Sequence, residues 1–350
     1  MDTQNQKLIG GGVKSLDLFS EIISLKNLLS AWDYFKQGKA KKLDVILFEK
    51  EHARAIRALH EELKKKIYHH APYESFYVKD PKLRAINKAT VRDRVLHHAI
   101  FVKLYLIFDK SFIFDSYSSR DEKGTHRAVN RLSAFANKAG KNNTRNCFVL
   151  KCDIKKFFDS IDQDILMDLI KKRIGDKNVL WLLQEIISSF AKGLPLGNVT
   201  SQIFANIYLN ELDQFIKRTL KIKYYIRYCD DLVILSENVA YLKELIPKID
   251  TFLRDNLKLS LHPNKIEIRK YHQGIDFLGY VSFPHHKMLR VKTGHRMFRK
   301  LNAKIADFKE EKISASSFHQ TLQSYYGMLK HCDSCSLGEK VIEALGEHFF

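Results

Sequence analysis

YYIRYCDDLVIL, residues 224–235, is the stretch of sequence that decides the fold of this protein. Its first five and last four residues are rich in aromatic and branched side chains, which favour β-strands. Only Cys229, Asp230 and Asp231 separate the two runs, and the simplest structure for them is a tight hairpin. Such a hairpin holds two adjacent carboxylates at its tip, where like charges repel and raise a pKa. Acidic residues are also common in surface turns, so the motif needs a second observation before it indicates a site.

A third carboxylate, Asp153, lies near the end of CFVLKCDI (residues 147–154), which has the pattern of a buried strand. If this strand neighbours the hairpin in one sheet, Asp153 converges with Asp230 and Asp231. Three close carboxylates are stable only when divalent cations neutralise them, and two metal ions about 4 Å apart suit in-line phosphoryl transfer. Magnesium prefers oxygen ligands of this kind. The three aspartates therefore predict a two-metal site.

Hydrophobic periodicity predicts the remaining elements. An extended stretch is expected at residues 75–78, followed by a turn at Asp80-Pro81. A short strand over residues 275–280 is expected to end the compact part, and the basic chain from Lys287 onward is expected to be mainly helical. Helices are predicted over residues 25–35, 48–67, 92–108, 162–190 with a break at Gly175, and 200–220.

The composition indicates a polyanionic partner. Lys and Arg outnumber Asp and Glu by 59 to 40, giving a net charge of +19 at pH 7, and such an excess is typical of proteins that bind nucleic acid. A solubilising surface is the alternative. No apolar run reaches the roughly 18 residues needed to span a membrane, and the polar N-terminus is unlike a signal peptide. We therefore expect a cytoplasmic protein with no membrane partner.

The cysteines are odd in number and follow no export signal, which argues against a disulfide framework. Cys332 and Cys335 have C-x-x-C spacing with His331 adjacent, and this group could form half of a zinc site. No second pair of Cys or His with ligand spacing is evident in the sequence. Reduced thiols are therefore the preferred interpretation.

Further motifs surround the three aspartates in a fixed order. Along the chain they are Asp153 with Phe158, a Gly-x-x-x-Ser turn at 197–201, the Tyr-x-Asp-Asp hairpin, Lys265, and Phe277-Leu278-Gly279. This ordered set spans roughly residues 73–330 and resembles the reverse transcriptases. The resemblance implies an α+β, right-hand polymerase fold, with fingers, a palm built on an antiparallel sheet, and a helical thumb.

The resemblance also implies the organisation of domains. A flexible N-terminal tail (1–20) precedes N-terminal helices and fingers (21–146). The palm (147–285) includes finger-side helices (163–190). The basic helical thumb (286–350) would follow the template–primer backbone without reading its sequence.

The same resemblance assigns the catalytic residues. Asp153, Asp230 and Asp231 would hold two Mg²⁺ ions, for which Mn²⁺ could substitute, with Asp231 the more peripheral ligand. Lys265 would act as a general acid toward pyrophosphate, a role that contributes about 10² to 10⁴ in rate. A solvent-exposed lysine without such a role is the alternative.

The residues that bind nucleotide and primer are assigned in the same way. Phe158 would lie beneath the incoming sugar and exclude a ribose 2′-hydroxyl, whereas a core position beside Phe157 is the alternative. Arg84 would clamp the triphosphate, because guanidinium groups fit phosphate oxygens. The primer-gripping turn, which could instead be a packed strand end, would be Phe277, Leu278 and Gly279. The full nucleotide-binding set would be Lys82, Arg84, Arg94, Phe158, Leu196, Gly197 and Gln202.

One segment separates groups within the family. Most reverse transcriptases have Gln before the glycine of the Gly-x-x-x-Ser turn and Pro after its serine, whereas this chain has Leu196 and Gln202. With DSYSSR (115–120) and KGTH (123–126), this pattern resembles the enzymes of diversity-generating retroelements. That resemblance implies error-prone copying of a template-repeat RNA into cDNA, with misincorporation at adenines. It also implies dNTPs, a structured RNA, the RNA/cDNA duplex and a small basic oligomeric accessory protein as partners.

Three alternatives stay open. A defence-associated bacterial reverse transcriptase can share the altered turn, and gene neighbourhood would separate the two roles. An RNA-dependent RNA polymerase would share the aspartates, but Phe158 speaks against ribonucleotides. A catalytically inactive, RNA-binding scaffold would keep the fold, but the presence of all three aspartates speaks against it.

Overall fold

The computed structural model describes residues 18–79, 83–333 and 338–339. Several predictions concern residues outside these ranges, namely those for the tail before Leu18, Asp80-Pro81, Lys82, Cys335 and the end of the thumb after Glu339. The described chain forms two compact units that alternate along the sequence. The first unit contains the described residues up to Phe114, with Ile154–Lys221 and Pro247–Pro263. The second contains Asp115–Asp153, Ile222–Ile246 and the described residues from Asn264 onward. The assignment of four consecutive ranges to tail, fingers, palm and thumb stays a prediction.

Helices make up most of the regular structure. In chain order they are α1 (Leu18–Ile23), α2 (Leu25–Lys36), α3 (Leu43–Lys64), α4 (Val91–Phe108), α5 (Thr125–Ala139), α6 (Phe157–Ser160), α7 (Gln163–Lys171), α8 (Lys177–Ser188), α9 (Val199–Gln214), α10 (Val239–Leu257), α11 (Val291–Lys309) and α12 (Ala315–Leu329). The predicted helices are confirmed, including the break at Gly175. The helix predicted over 200–220 differs, because α9 ends at Gln214 and a π-helix follows at Phe215–Thr219. Within the described ranges, no helix combines the length and apolarity that crossing a membrane requires.

The strands confirm the antiparallel sheet. They are β1 (Glu74–Lys79), β2 (Leu83–Lys88), β3 (Phe148–Asp153), β4 (Tyr225–Tyr228), β5 (Asp231–Ser236), β6 (Glu267–Lys270), β7 (Ile275–Phe277), β8 (Tyr280–Ser282) and β9 (Lys287–Leu289). In the second unit, four antiparallel strands lie in the order β4-β5-β3-β6. The predicted hairpin is β4–β5, and the strand that ends in Asp153 lies beside it. In the first unit, β1 and β2 form an antiparallel ribbon.

The prediction of a single strand over residues 275–280 was wrong. Leu278 (φ +52°) and Gly279 (φ +90°) both have left-handed backbone, and they reverse the chain between β7 and β8. The chain at Lys287 also begins as a strand rather than a helix, because β9 pairs with β8. These residues therefore form a three-stranded antiparallel sheet.

One apolar core joins this sheet to the rest of the second unit. It contains side chains from both sheets and from α5, α11 and α12, among them Leu132, Val149, Val233, Tyr280, Leu301 and Phe318. The compact part therefore continues well past residue 280, because α11 and α12 cover apolar surface that the sheets would otherwise expose.

Candidate active site

The predicted carboxylates meet at one end of the four-stranded sheet. The antiparallel register of β3 and β5 places Asp153 directly opposite Asp231, and opposite residues direct their side chains to the same face. Cys229 and Asp230 form the turn between β4 and β5, with Cys229 in the left-handed region at φ +53°. The fold therefore brings three carboxylates together from two strands and the turn that joins β4 to β5.

A buried arginine supports the tip of this hairpin. Arg227 is fully buried, and its guanidinium donates to the carbonyl of Cys229 (3.2 Å) and to Ser116 Oγ (3.0 Å). Its main-chain N–H donates to the carbonyl of Asp115 at 2.9 Å. Arg227 thus holds the acidic turn in place. The sequence analysis did not assign this role to Arg227. The signal that could have found it is the DSYSSR motif (115–120), which contains both partners, Asp115 and Ser116.

Burial and mutual repulsion make the carboxylate cluster electrostatically unfavourable. Burial, followed by the charges of Asp230 and Asp153, raises the pKa of Asp231 to about 6. Burial and then the charge of Asp153 also raise the pKa of Asp230. The ammonium group of Lys265 offsets part of this charge, since its Nζ lies 2.8 Å from Asp153 Oδ1. Lys265 is therefore paired within the site and is not a freely solvated lysine.

The donor set fits a hard divalent cation. The ligands of the cation would be carboxylate oxygens, which Mg²⁺ and Mn²⁺ prefer. The raised pKa values of Asp230 and Asp231 reflect burial and repulsion between negative charges, and a bound cation would relieve this repulsion. In the part of the chain that the structure describes, no three His, Cys, Asp or Glu side chains are already grouped closely enough to hold a metal ion. Asp153, Asp230 and Asp231 are the residues that would hold the ion, with Lys265 beside Asp153.

The predicted primer-gripping turn lies in the same unit. Phe277 is 1% exposed and belongs to the core, so its ring serves packing. Gly279 has φ +90°, and its carbonyl accepts a hydrogen bond from the N–H of Arg290 at 3.0 Å. Asp276 pairs with Arg290 at 2.9 Å. Contact of this turn with a primer stays a prediction.

The Gly-x-x-x-Ser turn and Phe158 lie in the first unit. The N–H of Leu194 donates to the carbonyl of Phe158 at 2.8 Å, and a Cβ on Gly193 would lie 2.2 Å from that oxygen. Only glycine permits this approach. Phe157 is buried, whereas Phe158 and Leu196 are half-buried. A hydrogen bond thus links the chain at Phe158 to Leu194, two residues before Leu196.

The predicted phosphate-binding cations have different surroundings. Arg84 is exposed on β2. Arg94 instead donates to Asp44 Oδ2 at 2.5 Å, with its guanidinium 4.8 Å from the centre of the Phe35 ring. Lys88 pairs with the same carboxylate at 3.0 Å. Arg84 is free to meet a phosphate, whereas Arg94 is engaged inside the protein, and contact of either with a triphosphate stays a prediction.

The residues of the possible zinc group are placed only in part. Cys332 is a free thiol, as are the other described cysteines, and burial raises its pKa. His331 stacks on His126 with ring centres 3.7 Å apart. Cys335 lies outside the described residues. The preference for reduced thiols therefore agrees with the cysteines that the structure describes.

This chain is similar to known proteins over most of its length. Residues 77–282 match the family described as reverse transcriptase (RNA-dependent DNA polymerase). Protein YkfC of Escherichia coli strain K12 is 25% identical over 288 residues, covering 70% of this chain and 74% of YkfC. The group II intron-encoded protein LtrA of Lactococcus lactis subsp. cremoris is 22% identical over 303 residues, covering 64% of this chain and 49% of LtrA.

A solved structure of apo telomerase from Candida tropicalis has a TM-score of 0.51 at 12% identity, covering 73% of this chain and 52% of telomerase. At that identity the likeness shows the fold alone, a right-hand polymerase fold. This chain thus spans about half the length of LtrA and of telomerase.

Proposed function

The chain belongs to the reverse transcriptase family, and we propose that it is the RNA-directed DNA polymerase of a diversity-generating retroelement. It copies a template-repeat RNA into cDNA with frequent misincorporation at adenines, the chemistry of mutagenic retrohoming. Its partners are the structured template RNA, the RNA/cDNA duplex, dNTPs and a small basic oligomeric accessory protein, in the cytoplasm. The net charge of +19 supports partners that carry many phosphates.

The observation that carries polymerase chemistry is the position of Asp153 opposite Asp231, with Asp230 on the adjoining turn. Three carboxylates in a half-buried site are costly unless a partner of opposite charge joins them. Divalent cations that arrive with a nucleoside triphosphate supply this positive charge. Structural roles such as a solvated turn would not need a third carboxylate across the sheet.

The residues of this chain then divide the work of nucleotide transfer. Two Mg²⁺ ions bound at the carboxylates would lower the pKa of the primer 3′-hydroxyl and stabilise the departing pyrophosphate. Asp153 and Asp230 would be the stronger ligands of these ions, and Asp231 the more peripheral one. Lys265 carries a proton beside Asp153 and donates it to pyrophosphate. The backbone at Gly279 meets the primer terminus.

The retroelement role is supported by the turn at residues 196–202. An amide side chain before the glycine would offer hydrogen bonds near the nascent base pair, and Leu196 offers none. Sites that lose a polar contact discriminate less strongly between related substrates. Leu196 is half-buried, so part of its side chain is accessible, which supports a contact with a bound nucleotide.

Primer extension tests the polymerase activity. Wild-type protein and Asp230→Asn are compared on a poly-rA template with oligo-dT primer, dTTP and Mg²⁺, with and without the co-expressed native RNA. Extension that requires Asp230 is the expected result. Wild-type protein that stays inactive even with native RNA and accessory protein would contradict the proposal and favour an RNA-binding scaffold.

Sequencing the products from a mixed RNA template tests the retroelement role. We expect errors concentrated opposite template adenines. An error spectrum without this bias, in an active enzyme, would favour the defence-associated reverse transcriptase.

A further inference from the structure

The β1–β2 ribbon and the Gly-x-x-x-Ser turn are joined through one residue of β2. The N–H of Asn87 donates to the carbonyl of Leu196 at 2.9 Å. The carbonyl of Asn87 accepts a hydrogen bond from the side-chain amide of Asn198, with Nδ2 at 3.4 Å. Both main-chain groups of Asn87 therefore bind the turn, one through the main chain of Leu196 and the other through the side chain of Asn198.

The turn and the strand are also in close steric contact. Gly197 has φ +115°, and a Cβ there would lie 3.0 Å from Ile86 Cγ2. Ile86 and Arg84 are two residues apart in β2, so their side chains share a face of the ribbon. The face that carries Arg84 is thus the face that contacts Gly197.

Asn198 is a polar residue in a buried position. Its side chain is 2% exposed, and its Oδ1 is buried with no hydrogen-bond partner among the described residues. A buried acceptor without a partner is unfavourable, so an apolar residue of equal size would be preferred if packing were the only demand. What the amide provides is its N–H, which satisfies the carbonyl of Asn87.

The other side of the turn is anchored independently. Thr200, in the first turn of α9, lies with its Oγ1 3.3 Å from His97 Nδ1. His97 is 1% exposed and belongs to α4, and α4 packs against α9. The start of α9 is therefore fixed, and the hydrogen bonds of Asn87 with Leu196 and Asn198 hold the ribbon against the turn that precedes it.

We propose that Asn198 is a positioning residue for nucleotide selection, whose amide sets Arg84 on β2 relative to Leu196 on the turn. This inference rests on the proposed function, in which Arg84 meets the triphosphate and Leu196 the nascent base pair. Neither group touches Asn198 directly, so Asn198 acts through the strand and the turn. Without its N–H, the ribbon is held to the turn by the hydrogen bond from Asn87 to Leu196 alone, so Arg84 shifts relative to Leu196, the triphosphate binds more weakly, and the geometry that distinguishes a correct pair from a mispair changes.

The test compares full-length wild type with three variants in single-nucleotide insertion on an RNA template with a DNA primer. Asn198→Leu keeps the volume and removes the donor, and Asn198→Gln retains an amide donor. Asn210→Ala is the matched control, because Asn210 is a buried asparagine within α9, the helix that follows Asn198, and its Oδ1 accepts from Gln214 at 3.1 Å. The readouts are kcat and KM for dTTP opposite adenine, and the same constants for the three mismatched dNTPs.

We expect Asn198→Leu to raise KM for dTTP about tenfold while kcat changes less than about threefold. The ratio of incorrect to correct insertion should change by roughly fivefold or more. Asn198→Gln should recover at least half of each effect, and Asn210→Ala should leave the ratio unchanged. Wild-type KM and ratio in Asn198→Leu, or an equal change in Asn210→Ala, would overturn the proposal.

Hydrogen exchange separates this inference from the proposed function. The amides of residues 83–88 should exchange about tenfold faster in Asn198→Leu than in wild type, with no such change in Asn210→Ala. If wild type inserts no nucleotide, the proposed function and the selection role both fail, and exchange still decides whether Asn198 holds the ribbon. If Asn198→Leu is insoluble, Asn198→Ser, whose hydroxyl is too short to bridge the gap, replaces it in both experiments with the same expectations.

Discussion

The carboxylate end of the four-stranded sheet and the Leu196 turn are stabilised in opposite ways. At the first, burial and like charge raise the pKa values of Asp230 and Asp231, and the ammonium group of Lys265 pairs with Asp153. At the second, uncharged hydrogen bonds to Asn87 hold the turn. Under the proposed function an external cation neutralises the first region, whereas hydrogen bonds within the chain hold the second. Changes in the first should therefore remove activity, and changes in the second should alter selection while activity is kept.

The largest expected effect concerns the aspartates. Asp153→Asn should lower the rate of primer extension roughly a thousandfold or more, because it removes a charge that the reaction requires. Asp231→Asn should cost less, since Asp231 is the more peripheral ligand. Single-turnover extension on RNA template measures both. Asp168→Asn, at an exposed pair with Lys171, is the control and should match wild type. Equal activity of Asp153→Asn and wild type would show that the carboxylate end of the sheet is not the catalytic region.

Lys265→Ala should give the next largest loss. Its removal takes away the proton donor and leaves Asp153 without its ion-pair partner. We expect a fall in kcat of about a hundredfold, with a smaller change in KM for dNTP. Lys265→Arg keeps the positive charge but donates a proton poorly, because a guanidinium stays protonated. An arginine variant with full activity would show that Lys265 supplies charge alone.

Leu196→Gln tests the second region. Restoring an amide should lower misincorporation at template adenines about tenfold, while extension on correct dNTPs stays within a fewfold of wild type. The measurement is deep sequencing of cDNA made from one RNA template. An unchanged error spectrum would show that Leu196 serves only to pack the turn.

The smallest expected effect is on stability and involves neither site. Asp162 accepts hydrogen bonds from the N–H groups of Asp164 and Ile165 at the start of α7, and Lys258 donates to it at 2.6 Å. Asp162→Ala should lower the free energy of unfolding by about 1 kcal/mol. Asp162→Asn keeps a capping oxygen and should lose less. Urea unfolding measures both variants.

The pH dependence of this effect has a defined sign. The hydrogen bond from Lys258, and then that from the N–H of Ile165, lowers the pKa of Asp162 from its ordinary value of 3.8. The charge-dependent stabilisation is therefore fully present above about pH 4 and is lost as pH falls through the lowered pKa. The gap between wild type and Asp162→Asn should close over that acidic range. A gap that stays constant to pH 3 would show that the charge contributes nothing.

Sequence patterns predicted those secondary-structure elements whose defining residues are adjacent in the chain. The β4–β5 hairpin, the helix α4 and the break at Gly175 each follow from residues adjacent in sequence. The strand pattern over residues 275–280 did not show the chain reversal at Leu278, because leucine seldom adopts positive φ; only the resemblance named a turn there. Its conformation is set by pairing of β7 with β8 and by burial of Phe277, which no window of neighbouring residues contains.

The sequence by itself identified the three aspartates as one motif, the family of the chain, and the altered turn with Leu196 and Gln202. Only the tertiary structure decided which charges meet. It paired Lys265 with Asp153 and directed Arg94 to Asp44 instead of toward solvent. It also placed Asn87 against Leu196, more than a hundred positions along the chain. The physical reason is that a motif depends on residue order, whereas an ion pair or hydrogen bond depends on distance in space, which is set when distant segments pack together.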